Sequence, residues 1–225
     1  MKDPRLFRLR FTVSASLGIS LLGFFFVRLF LYGGNERLCL LILLLKVVGL
    51  TASWLLLLGT LRVPFFKRFC PTSRHFDCQR VIDSPAGKVF GLVHAADLGV
   101  LYFGGTLLIL FFSAFSPGFY FQVVLLGGLN LLTLPYTLFS VTYQAFKVGK
   151  WCALCLIVQA VFWLEFWQFF PFLFGNPVFL DLSLNRLTPM IVAFGVVSAL
   201  WPLVRYLLER SYAEYAGLES RQGGD

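Results

Sequence analysis

The chain has 225 residues, of which 58% are hydrophobic and only 13% charged, with 27 phenylalanines and a net charge of +8. Soluble domains carry about 25% charged residues, so this composition excludes one. The apolar residues come in blocks long enough to cross a hydrocarbon core, which takes about 20 helical residues. The positive charge is no nucleic-acid footprint either, because the basic residues cap the apolar blocks.

Six spans are predicted in an all-α integral membrane protein, since continuous apolar blocks without dyad alternation satisfy their backbone as helices rather than as a barrel. The first, residues 11–32, follows a basic start (Lys2, Arg5, Arg8, Arg10) and looks like a signal peptide. It carries Arg28 and lacks a small-x-small cleavage site, so it is read as retained. The second, 38–61, has Cys39 at its start and Lys46 inside. A long loop, 62–88, holds Cys70 and Cys78 among Pro64, Pro71, Ser73 and Pro85, residues that interrupt regular structure and predict a mobile, accessible segment. The third span, 89–115, carries His94 and Asp97 near its start and Gly104-Gly105, which permits close helix approach. The fourth, 119–146, contains Gly127-Gly128 and Pro135, which should kink it. The fifth, 151–174, opens on Cys152-Ala-Leu-Cys155 and holds Glu165 deep inside. The sixth is 188–208, and the tail Arg221-Gln-Gly-Gly-Asp reads as a frayed end, where a longer protein was cut.

With six spans, loop ends alternate between two faces. The loop with Cys70 and Cys78 and the turn before Cys152 and Cys155 fall on the same face, whichever way the protein is inserted. Cys39 falls on the other and reads as a small hydrophobe at a helix end. Residues i and i+3 of a helix share a face, and the first helical turn offers unpaired N–H groups and the positive dipole end. With Lys147 and Lys150 just outside, Cys152 and Cys155 are expected to form a reactive dithiol. Haem attachment needs a histidine where Leu156 stands. Zinc is disfavoured because seven residues separate Cys70 from Cys78, so no metal site is expected. A relay remains, in which the loop pair trades electrons with an outside partner and the membrane-edge pair passes them on.

The run Cys70-x7-Cys78-x5-Ser84, then Phe90-Gly91, then Trp151-Cys152-Ala153-Leu154-Cys155, resembles the vitamin K epoxide reductase family. Stretches from Phe90-Gly91 to Tyr102-Phe103 and from Leu134-Pro135-Tyr136 to Glu165 are similar to its bacterial, DsbB-like branch. The resemblance covers about residues 39 to 172. It implies a four-helix catalytic domain, residues 38–175, around a quinone (ubiquinone or menaquinone), with extra spans in residues 1–37 and 176–225. It also implies roles. Cys70 exchanges with a thioredoxin-like or DsbA-like partner, Cys78 attacks the membrane pair through Cys152, and Cys155 faces the quinone. Ser84 hydrogen-bonds a quinone oxygen, steadies the loop, or caps the helix opening at Ser84-Pro85. Where vertebrate members have a tyrosine four residues after the last cysteine this chain has Gln159, which favours plain quinone reduction over epoxide reduction. Bacterial members often carry a fused thioredoxin domain. None follows the sixth span here, so the partner is a separate protein or the chain is an excerpt.

Four ionisable residues in spans remain. His94 and Asp97 read either as a proton path or as a wetted pair near the interface. Glu165 reads as a protonated carboxyl packed between helices or as an acid, and Lys46 either snorkels or pairs with Glu165. Fifteen of the 19 basic residues lie on the cysteine face, leaving Arg28, Arg37 and Arg186 opposite and Lys46 within a span. Positive-inside counting therefore puts the cysteines in the cytoplasm, whereas disulfide formation belongs outside it. On family grounds the extracytoplasmic side of a cell membrane is favoured. The competing functions are an electron conduit supplying reductant to a partner, and a non-catalytic scaffold with structural cysteines.

Overall fold

The computed structural model describes residues 36–113 (apart from 64, 71, 90 and 92), 119–175 and 184–222. The predicted first span lies outside these residues. Among them, five helices are long and apolar enough to cross a membrane. They are α1 (Glu36–Thr60), α4 (Ala95–Ser113), α5 (Phe119–Tyr143), α6 (Ala153–Gly175) and α7 (Leu184–Gln222). Each answers to a predicted span, because a chain with no water to bond must close its N–H···O=C bonds within the segment.

Two boundaries differ from expectation. The third span begins at Ala95 rather than 89. Lys88–Val89 (β1) and Val93–His94 (β2) form a small antiparallel hairpin instead, with Lys88 opposite His94 and Val89 opposite Val93. Gly91 turns between them at φ +71°. The last helix runs well past residue 208, to Gln222. The long loop also contains ordered structure: α2 (Phe66–Phe69), α3 (Cys78–Ile82) and a 3₁₀ turn at Pro85–Gly87.

α1, α4, α5 and α6 make a four-helix bundle. α1 packs closely against α4 and α6, and α5 against α6, while α4 and α5 touch much less. The bundle is therefore tight on three sides and loose on the fourth. α7 lies outside it against α4, and only 6% of its most apolar stretch is buried. The expected close approach at Gly105 is seen there: a Cβ on that residue would meet the Phe194 ring at 2.7 Å. A polar contact adds to this seam, since Arg205 of α7 donates to Asp97 of α4, while within α7 it also donates to Glu209 Oε1 at 2.9 Å.

Three buried clusters stack along the bundle. Farthest from the cysteines are Ile42, Ile109, Leu126 and Phe169, and in the middle are Tyr102, Phe103, Leu134 and Phe162. At the loop end Leu56, Leu57, Phe66, Val81 and Ile82 pack with Cys70, Cys78 and Cys152. Around that end Phe65, Phe69, Phe76 and Phe146 are exposed, beside Lys67, Arg68 and Lys147, the aromatic and basic mixture of a membrane interface.

Candidate functional site: two cysteine pairs beside an apolar cavity

α5 ends in a π turn, Gln144–Val148, and Gly149 in the left-handed region (φ +65°) reverses the chain. The strand-like residues that follow dock onto the loop. Trp151 N–H donates to His75 O at 2.9 Å, and Asp77 N–H donates to Trp151 O at 3.0 Å. Lys150 Nζ adds bonds to the carbonyls of Arg74 at 2.7 Å and Ser73 at 3.2 Å. Cys78 follows Asp77, and Cys152 follows Trp151. The bonded pair therefore sets these two cysteines side by side.

Cys70 closes α2, its N–H bonded to Phe66 O at 3.2 Å. Cys78 opens α3, where Asp77 caps by accepting the Arg80 N–H at 3.1 Å. Cys70 and Cys78 are joined as a disulfide with Cα atoms 6.0 Å apart, within the range such a bond spans. Cys152 and Cys155 are free thiols. All four belong to one cluster, as the span parity predicts, while Cys39 sits at the opposite end of α1. The expectation of an accessible loop pair is not met. Cys70 and Cys78 are 5% and 1% exposed, because Phe66, Val81 and Ile82 close over them.

Cys152 stands just before α6 as its cap. Its Sγ accepts the Cys155 N–H at 3.2 Å, which uses one of the N–H groups a helix start leaves free, and its own N–H donates to Gln144 Oε1 at 2.9 Å. Gln144 Nε2 continues to Ser140 Oγ at 3.3 Å, which also accepts from Gln159 Nε2 at 2.8 Å. A polar chain thus runs from the buried cysteine into the bundle. Sequence reading missed Gln144 and Ser140; the signal was their spacing of four at the cysteine end of an apolar helix, pointing both to one face.

On the loose side of the bundle is a cavity of about 480 Å³, the size of a small-molecule site. Cys155 lines it, with Ser53 of α1, Tyr102 of α4, Tyr136 and Ser140 of α5, and Gln159 of α6. Leu98 and Leu132 line it too and are exposed at the surface the helices turn to lipid. Two buried polar atoms in this lining, Ser53 Oγ and Gln159 Oε1, have no hydrogen-bond partner. Orphaned polar atoms in an otherwise apolar slot fit a flat apolar ring carrying oxygens, so the residues present suit a quinone. Ser84 does not line the cavity. Its Oγ donates to Val81 O at 2.7 Å, and its neighbours Val81, Ile82, Ala86 and Gly87 form that wall.

Lys46 does not snorkel. It pairs with Glu165 at 2.7 Å, both fully buried. His94 Nδ1 lies 3.8 Å from Asp97 Oδ2, and Asp97 is held by Arg205, so this pair serves the α4–α7 seam. Burial, and after it the Arg205 guanidinium, holds the His94 imidazole below its ordinary value, with Asp97 pulling the other way.

These features define a helical membrane protein with a disulfide and a dithiol at one end of its bundle, beside an apolar cavity. The chain matches the family model of the vitamin K epoxide reductase family over residues 40–170, more than half its length, and it belongs to that family of membrane oxidoreductases. Neither curated proteins nor solved structures give a match.

Proposed function

We propose that this protein is a quinone-dependent thiol–disulfide oxidoreductase of the DsbB-like kind, with residues 38–175 as its catalytic unit. A thioredoxin-like or DsbA-like partner gives two electrons to the Cys70–Cys78 disulfide and leaves with a disulfide of its own. The Cys78 thiolate then attacks Cys152 of an oxidised Cys152–Cys155 pair, and Cys70 resolves the mixed disulfide. The outcome is a closed loop pair and a membrane dithiol, the combination seen in this structure. A quinone in the cavity would accept the two electrons and two protons released when that dithiol closes. Ser53 would donate to a ring oxygen, and Gln159 Oε1 would accept from a hydroxyl of the reduced ring. Ser84 acts by steadying the wall.

The observation that carries this reading is that Cys155 opens on the cavity while its neighbour Cys152 stays buried at the docked loop. Sulfur exchange and ring chemistry thus meet at adjacent residues. The cysteine end is placed outside the cytoplasm, where protein disulfides persist, against the count of basic residues.

The test is reconstitution with a reduced thioredoxin-like partner and a short-chain ubiquinone or menaquinone, following quinol formation. Cys155→Ala is expected to abolish it, because the membrane pair can then no longer close. An intact protein, all four cysteines present, that never reduces quinone sinks the reading. Impermeant alkylation of single-cysteine variants in cells decides the side of the membrane.

A further inference from the structure

The fully buried Lys46–Glu165 pair is part of a larger polar cluster to which each bundle helix contributes one member: Lys46 from α1, Tyr102 from α4, Asn130 from α5 and Glu165 from α6. Glu165 Oε2 accepts from Lys46 Nζ at 2.7 Å, Tyr102 Oη at 3.0 Å and Asn130 Nδ2 at 3.2 Å. Lys46 Nζ also donates to Tyr102 Oη at 3.0 Å and stands 4.3 Å from the centre of that ring. Ionisable groups at membrane depth are costly and are retained chiefly where they serve a pathway or a site.

Two features connect the cluster to the cavity. Tyr102 belongs both to the cluster and to the cavity lining, and so spans the boundary. Phe162, whose carbonyl accepts from Asn130 at 3.2 Å, lines the cavity as well. The hydrogen bonds are also unevenly distributed. Oε2 of Glu165 takes three donors, while Oε1 of Glu165 and Oδ1 of Asn130 are buried with none. Buried acceptors without donors are rare in native proteins. Two in one cluster leave room for one more proton than it holds.

We propose that Glu165 is a buried proton-loading residue that serves the cavity through Lys46 and Tyr102. This rests on the quinone reading above. Closing the Cys152–Cys155 disulfide releases two electrons and two protons, and forming the quinol consumes both. One proton passes from the sulfurs at the mouth of the cavity. The other leaves by the cluster: the Tyr102 O–H bond breaks toward the ring oxygen, a Lys46 N–H proton replaces it, and the proton loaded on Glu165 restores the ammonium. That leaves the cluster with ammonium, phenol and carboxylate. The second thiol proton reloads Glu165, so atoms and charge balance over a turnover.

A cluster that only staples four helices predicts something different, and two variants separate the readings. Tyr102→Phe leaves the Lys46–Glu165 pair and removes only the hydroxyl between it and the cavity. Glu165→Gln keeps size and hydrogen bonding but cannot carry the proton. The measurements are single-turnover electron transfer from the dithiol to a short-chain ubiquinone, in light and heavy water, and the infrared carboxyl band before and after reduction. The expected result is a transfer slowed about 10²-fold in Tyr102→Phe, the scale on which acid–base assistance works, with the solvent isotope effect lost. A protonated-carboxyl band that changes on reduction should vanish in Glu165→Gln and persist in Asp97→Asn.

Wild-type rates and isotope effects in Tyr102→Phe, or a carboxyl band untouched by Glu165→Gln, overturn the proposal and leave quinone reduction standing. A wild-type protein that transfers no electrons to quinone removes the foundation of both. If Glu165→Gln does not fold, Tyr102→Phe decides alone.

Discussion

Replacing Lys46 with methionine tests how the bundle tolerates its buried charges. The substitution keeps length and apolar bulk but leaves Glu165 at zero exposure with only Tyr102 and Asn130 as donors. An unpaired carboxylate in such surroundings is costly, and removing one partner of a buried ion pair typically costs about 3–5 kcal/mol, which is the expected loss of stability. Removing both partners, as Lys46→Met with Glu165→Leu, should cost less than Lys46→Met alone, because no charge is left unpaired. Reversible unfolding in detergent reads both losses. A Lys46→Met loss below about 1 kcal/mol refutes the assignment of this contact as an ion pair that the bundle depends on.

Three further outcomes follow from contacts nearer the cysteines. Gly99→Ala places a Cβ 2.4 Å from Ser53 Oγ; it should push that hydroxyl out of place and weaken quinone binding about tenfold, the worth of one hydrogen bond, as read by titration. Gln144→Leu removes the acceptor of the buried Cys152 N–H. It is expected to cost about 1–3 kcal/mol and to slow Cys78–Cys152 exchange, measured by acid-quench trapping, while an unchanged exchange rate counts against a positioning role. His94 resists protonation through burial and the nearby Arg205, with Lys88 adding to the effect and Asp97 and Asp83 opposing it. As pH falls through the ordinary value of 6.5, the unfolded chain binds a proton that the folded chain refuses, so stability is complete above that value and is lost toward the depressed folded one. His94→Gln should flatten that limb of the stability profile.

Much of this was legible in the sequence because hydrocarbon imposes a strict rule. Block lengths fixed the five described spans, and their parity brought Cys70, Cys78, Cys152 and Cys155 to one end before any contact was known. The pairing of Lys46 with Glu165 was foreseeable as one of two ways for a buried lysine to be satisfied, and the structure selects it. The 88–94 hairpin was hidden because its apolar residues continue the hydropathy of α4, and only glycine at 91 marks a turn. The loop was misjudged for a related reason. Its prolines signal irregular backbone, but irregular backbone packs densely when Phe66, Val81 and Ile82 supply a core of their own. The cavity wall was least legible. Ser53 and Ser140 each look like an isolated polar residue in an apolar run, and they meet Gln159 only through the crossing of α1, α5 and α6.

The same loop packing suggests why the two sulfurs of one disulfide would face different partners on the proposed relay. Cys70 hangs on α2, a helix of four residues, too short to persist by itself. Among its residues only Phe66 is buried, and burying a phenylalanine is worth about 1.5–3 kcal/mol. Cys78 follows a segment tied to residues 150–151 by two backbone bonds and the two from Lys150, each contributing about 1 kcal/mol. It then enters α3, where Val81 and Ile82 are buried too. The Cys70 side therefore lifts at lower cost than the Cys78 side. An arriving partner would displace α2 and meet Cys70 first, while Cys78 stays beside Cys152. Direction in the relay then follows from unequal anchoring of its two loop sulfurs, with no need for a difference in their chemistry.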